Sequence, residues 1–407
     1  MDLEVAAVRQ AFPALSHGVA HFDGPGGSQT PDRVARAVAD AMVSGLANRG
    51  AVTAAEQRAE ALVAAARQAL ADLLGVQPQG VVFGRSMTQV TYDVARTLAK
   101  QWGRGDEVVV TRLDHDANIR PWVQTAAAAG ATVRWAEFDA ATGDLAVDAV
   151  AGLLSHRTRV VAVTGASNLL GTRPDVAALA DAVHDHGALI YVDGVHLTAH
   201  APVDVASLGA DFFACSPYKF FGPHLGVLAA EPDLLKTLEP DKLLPSTDDV
   251  PERFELGTLP YELLAGVIAT VDFIADMLGS DGVGAEPVGG RRGAVLAAMA
   301  AVERHEQRLF DRMLSGLDAL DDVTVHGRPA HRTPTALFSV ARRSPAEVYR
   351  RLAARGVNAP AGNFYAIEAS RWAGLGDGGA VRAGVSPYND EDDVDRLLAG
   401  VADLCRR

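Results

Sequence analysis

From about residue 55 onward, Ala- and Leu-rich stretches of helical period alternate with short Val-rich runs. This alternation constrains the fold most. Repeated strand–helix–strand units with near-continuous apolar strands can bury those strands only in a mostly parallel sheet covered by helices on both faces. The pattern predicts a helix over 55–74 ended by Gly75. It predicts strands over 81–83, 107–111, 132–138, 159–164 and 188–192, with helices over 119–129, 147–154 and 175–186 between them. Two further strands, 212–215 and 226–230, are too close in sequence for a crossover helix, which predicts an antiparallel edge. A helix over 262–278, a Gly-rich loop over 279–293 and a long helix over 294–317 then lead into a second region of helices and strands.

A chain of 407 residues with 48% hydrophobic residues can bury a large core and suits two domains better than one. The net charge of −14 is spread without an acidic tail and argues against a phosphate-backbone partner, so no nucleic-acid binding is expected. The first residues carry neither a basic nor an apolar leader pattern, and no apolar run reaches spanning length; no membrane partner and a cytoplasmic location are expected. The 2 cysteines, Cys215 and Cys405, form no CxxC pattern, which excludes a disulfide framework and a cysteine zinc site.

In open α/β sheets ligands bind beyond the carboxyl ends of the strands. Chemically competent residues collect at successive predicted ends: Ser86, Met87 and Thr88; Asp114 and His115; Ser167 and Asn168; Asp193 and His196; Ser216 and Lys219. A lysine among small polar and aromatic residues just past a buried strand is placed to lose its proton and act as a nucleophilic amine. A carboxylate following the apolar run 189–192, Asp193, can hold a protonated heteroaromatic nitrogen, a reading favoured over its other use as a helix cap. Thr88 and Ser216 suit a phosphate, helped by amides at a helix N-terminus after Ser86. His115 could stack on a ring or be a loop histidine. Gly24-Pro25-Gly26-Gly27 lacks the third glycine of a dinucleotide finger and does not join a strand to a helix, so a nucleotide site is weakly supported. The pairs His184/His186 and His196/His200 and the trio at 114–116 lack the converging ligands a metal needs, and no metal is expected.

The runs Asp193-Gly194-Val195-His196 and Ser216-Pro217-Tyr218-Lys219-Phe220-Phe221-Gly222-Pro223, in order with 114–122, 167–172, 254–258 and 381–389, resemble the pyridoxal-phosphate enzymes of aminotransferase class V, in particular the cysteine desulfurase and selenocysteine lyase branch. The resemblance runs from about residue 20 to the end. It implies an α/β fold of the fold-type I pyridoxal-phosphate transferases, similar to aspartate aminotransferase. A large domain over 18–265 would hold a mostly parallel seven-stranded sheet, and 1–17 with 285–407 would form a smaller α+β domain. It implies pyridoxal 5'-phosphate bound as a Schiff base by Lys219, which also moves the α-proton. Asp193 would pair with the ring nitrogen, His115 would stack on the ring, and Asn168 and His196 would meet its phenolic oxygen. Met87, Thr88 and Ser216 would hold the phosphate. Gly257 and Thr258 would serve the neighbouring subunit's site in a homodimer, and Arg382 would clamp the carboxylate of an amino acid substrate. Read without the resemblance, Arg382 is an ordinary edge-strand arginine.

The chain departs from that pattern in two places. Desulfurases carry a mobile cysteine shortly before the carboxylate-binding arginine, whereas 359–366 here reads Ala-Pro-Ala-Gly-Asn-Phe-Tyr-Ala. Tyr218 stands where many relatives have histidine. The expected chemistry is therefore C–S or other Cβ–X lyase action on a cysteine-like substrate, with Asn363, Phe364 and Tyr365 shaping the side-chain pocket. True desulfuration, transamination, epimerisation and a catalytically silent cofactor-binding scaffold remain as alternatives.

Overall fold

The computed structural model describes residues 2–279 and 289–405. Seven strands form the main sheet: β1 (Val81–Gly84), β2 (Glu107–Thr111), β3 (Thr132–Ala136), β4 (Thr158–Thr164), β5 (Leu189–Asp193), β6 (Phe212–Cys215) and β7 (Gly226–Ala230). Their order is β1-β7-β6-β5-β4-β2-β3. All neighbouring pairs are parallel except those made by β7, which runs antiparallel to both β1 and β6. The expected antiparallel element is thus present but does not lie at the edge. The short link from β6 allows only a hairpin-like return, and β1 then pairs on the far side of β7 and closes the sheet.

Alternation of side chains explains why these strands are so apolar. Val109, Val161, Val163, Ile190, Val192, Phe213 and Val227 enter one core, and Val108, Val110, Val160, Ala162, Tyr191, Phe212 and Leu228 enter the other. Each buried aliphatic side chain contributes about 1.5–3 kcal/mol. The helix α1 (Ala54–Leu74) starts at a capping box of Thr53 and Glu56 and stops at Gly75, whose φ is +72°. Helices α2 (Met87–Ala99), α3 (Arg120–Ala129) and α4 (Val176–His184) cross between strands as the sequence predicts.

Helix α5 (Tyr261–Ala275) leaves this sheet, and the long helix α6 (Gly290–Asp318) opens the second region. Helix α6 begins several residues earlier than the sequence pattern suggests, so Gly290–Gly293 are helical and not loop. The remainder of that expected loop, residues 280–288, and the expected domain start at 285 lie outside the described residues. Strands β8 (Val323–His326), β9 (Thr335–Val340), β10 (Ala361–Gly362) and β11 (Ala380–Gly384) form an antiparallel sheet ordered β10-β11-β9-β8. Its core unites Phe310, Phe338, Val348, Val381, Leu397 and Val401 with Ala20 and Phe22 from the N-terminal segment. Ala20–His21 pairs in parallel with Val357–Asn358 and ties that segment to this region. Among the described residues no helix is long and apolar enough to cross a membrane.

Candidate active site

The carboxyl ends of β1, β2, β4, β5 and β6 converge on one cleft of about 520 Å³, lined by residues that include Ser86, Met87, Thr88, His115, Asn168, Asp193, His196, Ser216, Tyr218 and Lys219. Parallel strands aim their carboxyl ends the same way, so residues scattered over 130 positions of sequence meet by topology alone.

Lys219 sits in the turn Pro217–Lys219 after β6. Burial, aided by the Arg382 cation and opposed by Asp193, pulls its ammonium down to about 7. Its Nζ donates to the Pro25 carbonyl at 2.6 Å. Asp193 ends β5 and is 4% exposed. Its Oδ1 accepts the Val195 N–H at 2.9 Å. Burial raises this carboxyl to about 6, with the Val195 N–H and the Lys219 cation acting against the rise, so it is an anion at neutral pH.

Asp114, next to His115 in the chain, is a fully buried carboxyl bonded by the Thr111 hydroxyl and by Asn118 Nδ2. The His115 Nδ1 accepts the Ala117 N–H at 3.0 Å, which fixes the ring. Burial, then the Lys219 and Arg382 cations, push it to about 4, so the imidazole is neutral near pH 7. His196 places Nε2 against the Thr333 and Thr335 hydroxyls at 3.0 and 3.2 Å. Burial keeps this ring neutral as well.

At the start of α2 the Ser86 hydroxyl accepts the Gln89 N–H, leaving the Met87 and Thr88 amides at an open helix end. Gly226 of β7 makes this approach possible, because a Cβ there would stand 2.2 Å from the Ser86 carbonyl carbon. Asn168 donates Nδ2 to the Phe364 carbonyl at 3.0 Å, while its Oδ1 is buried without a partner. An orphaned amide oxygen, an open helix end beside hydroxyls, a buried carboxylate and a desolvated amine together fit a phosphorylated, cationic heteroaromatic aldehyde.

Arg382 lies in β11, between β10 and β9, and is 2% exposed. It is therefore not the exposed edge residue that an isolated reading of its strand suggests. Its Nη1 donates to the Asn168 carbonyl at 2.8 Å and its Nε has no partner. The Phe364 ring stands 3.7 Å from its guanidinium carbon. Burial lowers this guanidinium to about 9. Phe364 and Tyr365 both have positive φ, at 52° and 60°, and the turn is held by the Asn363 Oδ1 accepting the Tyr365 N–H at 3.0 Å. Tyr365 is 74% exposed and its ring lies 5.7 Å from that of His115. Asn363 is committed to this turn and to the Asp377 carbonyl.

Two expected residues do not join this cleft within one chain. Gly257 and Thr258 line a separate cavity with Phe83, Gln89, Phe254 and Leu256. Cys215 is fully buried and its thiol is pushed up by burial; Cys405 lies on the final helix, where Sγ donates to the Val401 carbonyl. Neither cysteine is paired. The sequence reading missed the Pro25 and Phe364 carbonyls. A backbone contact between positions 25 and 219 leaves no trace in local pattern or spacing.

The family model for aminotransferase class V matches residues 20–285 and 295–397. The chain is 34% identical to an uncharacterized protein of Mycobacterium tuberculosis, over 99% of this chain and 100% of that one. It is 30% identical to a cysteine desulfurase of Klebsiella pneumoniae, with 98% of each covered. The apo structure of a cysteine desulfurase from Thermococcus onnurineus superposes with a TM-score of 0.88 at 27% identity, covering 100% of this chain and 99% of that one.

Proposed function

This chain belongs to the aminotransferase class V family and is a pyridoxal-phosphate-dependent enzyme, and we propose that within it the chain is a Cβ–X lyase acting on a cysteine-like amino acid. One observation carries the reading. The turn that faces the carboxylate-binding arginine presents Phe364 and Tyr365, while the chain's thiols lie in the core and on the last helix. Without a thiolate beside the substrate sulfur, sulfur transfer lacks its acceptor, whereas elimination needs none.

The residues present suit the cofactor and divide the work. Lys219 would hold its aldehyde, Asp193 its ring nitrogen, His115 its face, and Asn168 and His196 its phenolic oxygen. The Met87 and Thr88 amides and the Thr88 and Ser216 hydroxyls would take its phosphate. Bound there, pyridoxal phosphate supplies an electron sink for the pair released at Cα. Arg382 orients the substrate by a bidentate bond to its carboxylate. Lys219, its ammonium pulled down to about 7 so that about half is free base at neutral pH, takes the Cα proton. Phe364 and Tyr365 shape the side-chain pocket.

Thr258 supports a homodimer in this reading. It lies off the Lys219 cleft beside Leu256, which is 52% exposed, so it would complete the phosphate site of a second copy. Two unpaired thiols support a reducing compartment such as the cytoplasm. The test is product analysis with L-cysteine, its S-conjugates and sulfoxides. Pyruvate, ammonia and a released thiol are expected. Alanine with persulfide would establish desulfuration instead, a keto acid with aminated cofactor would establish transamination, and a visible cofactor band with no product from any of these compounds would establish a silent scaffold.

A further inference from the structure

Consecutive residues of the N-terminal segment each touch a different group of the cleft. The Pro25 carbonyl accepts the Lys219 Nζ hydrogen bond at 2.6 Å. A Cβ at Gly26 would meet Arg382 Nη2 at 3.3 Å, and a Cβ at Gly27 would meet the Tyr218 ring at 3.3 Å. Three successive Cα atoms span about 7 Å. Amine, guanidinium and phenol ring are thus aligned along one short stretch of backbone, within reach of a single amino acid molecule. The glycine run that fails as a dinucleotide finger has this other use.

Tyr218 is held firmly in that row. Its carbonyl accepts both the Ser28 N–H and the Ser28 hydroxyl at 3.1 Å. Its ring stacks on His224 with centroids 4.6 Å apart and planes 9° from parallel, and Lys219 Nζ is 5.1 Å from its centroid. Tyr218 lines the cleft, and its hydroxyl is not among the buried, unpartnered polar atoms that the fold seals away. Burial, reinforced by Asp193 and opposed by Arg382, raises the phenol above its ordinary range.

Elimination of a poor leaving group such as an alkyl thiolate needs a proton at the departing sulfur. His115 is neutral and Asp193 ionised near pH 7, Arg382 is committed to the carboxylate, and aliphatic hydroxyls are weaker acids than a phenol. We infer that Tyr218 is a catalytic acid whose Oη delivers a proton to the sulfur leaving Cβ, and that the substrates are alkyl thioethers of cysteine whose thiolates leave poorly unaided. This inference rests on the lyase reading. The Cα–H bond breaks and its proton passes to Lys219 Nζ. The released pair forms the Cα–Cβ double bond as the Cβ–S bond breaks, and the sulfur departs with that bond's electrons and takes the Tyr218 proton. The Lys219 ammonium gives its proton up to solvent and the phenolate recovers one from it, and water converts the aminoacrylate to pyruvate and ammonia. No oxidant or reductant enters.

The test compares wild-type and Tyr218→Phe holoenzymes on β-chloro-L-alanine, S-aryl-L-cysteines of graded thiol acidity and S-ethyl-L-cysteine. The variant should keep the cofactor's visible band. Its rate loss should grow from under about 10-fold for chloride to about 10²–10⁴-fold for the ethyl thioether, the range of a lost general acid. An equal loss across the series, or none, overturns the acid role while leaving the lyase reading intact. A second readout needs no turnover: the difference titration at 295 nm between wild-type and variant apoproteins. It should place the Tyr218 ionisation above that of ordinary tyrosine, and a midpoint below pH 8 would also overturn the assignment. If wild type releases no pyruvate from any of these compounds, the lyase reading falls and takes the inference with it.

Discussion

The amine of Lys219 offers the sharpest quantitative test. Its acidity is shifted from 10.5 to about 7. At pH 7 about half of it is then the free base, against roughly one in 3,000 for an ordinary lysine, an increase of about 10³ in nucleophilic amine. The assay is competitive acetylation of apoprotein with a trace of acetic anhydride, the Lys219 peptide being quantified by mass spectrometry against Nα-acetyl-lysine. Labelling should rise through pH 7 and be flat above pH 8. Removing the Arg382 cation by Arg382→Gln should move the midpoint up, and Asp193→Asn should move it down, because these charges act in opposite directions on the ammonium. Folding stability gives an independent check on the same shift. Below pH 7 both folded and unfolded chains carry the proton, and burying it costs about 5 kcal/mol. Between pH 7 and 10.5 the unfolded chain binds more protons, so stability rises with pH and the cost disappears. Apo Lys219→Met should therefore be more stable than wild type at pH 6, with the gap closing towards pH 10. A labelling midpoint near pH 10 would refute the desolvated-amine reasoning and the nucleophile assignment with it.

Other outcomes follow from the same contacts. Arg382→Gln should raise KM for the amino acid by about 10–100-fold or more, as expected for loss of a buried charge-paired partner, read from initial rates. Phe364→Ala removes the ring 3.7 Å from the Arg382 guanidinium carbon and should tighten binding of a simple carboxylate such as glycine about 3–30-fold, the worth of a desolvated cation–π contact; calorimetry reads it, and weaker binding would mean the ring helps rather than competes. Glu306, fully buried against His200 and raised to about 7, keeps its proton in the fold where the unfolded chain has lost it. Stability should fall as pH rises from about 4.5 to about 7, by up to about 3 kcal/mol, and Glu306→Gln should flatten that slope in urea melts. Thr258→Ala should weaken pyridoxal-phosphate retention on dilution, and mixing it with a Lys219→Ala chain should restore one competent site per mixed dimer if the threonine serves the other copy.

Much of this was legible in the chain. Near-continuous apolar runs separated by helical segments are imposed by strands buried on both faces, so β2, β6 and β7 can be delimited from residues alone. The strand-end rule then gathers His115, Asn168, Asp193, Ser216 and Lys219 without any coordinates. Local pattern could not place β7 inside the sheet, because sheet order depends on which non-local pairings bury most surface. Nor could it show that Arg382 is buried in a central strand. The position of Tyr218 is the clearest case: its neighbour Gly27 lies far away in sequence, and only the docking of the N-terminal segment against the turn after β6 brings them together. Sequence by itself determined the fold class, because periodicity is a local property of a chain, and its resemblance to a known family implied the cofactor and the lysine that would hold it. Tertiary structure decided which groups face one another across the cleft and what burial does to their protons, because desolvation and charge coupling depend on distances that no spacing encodes.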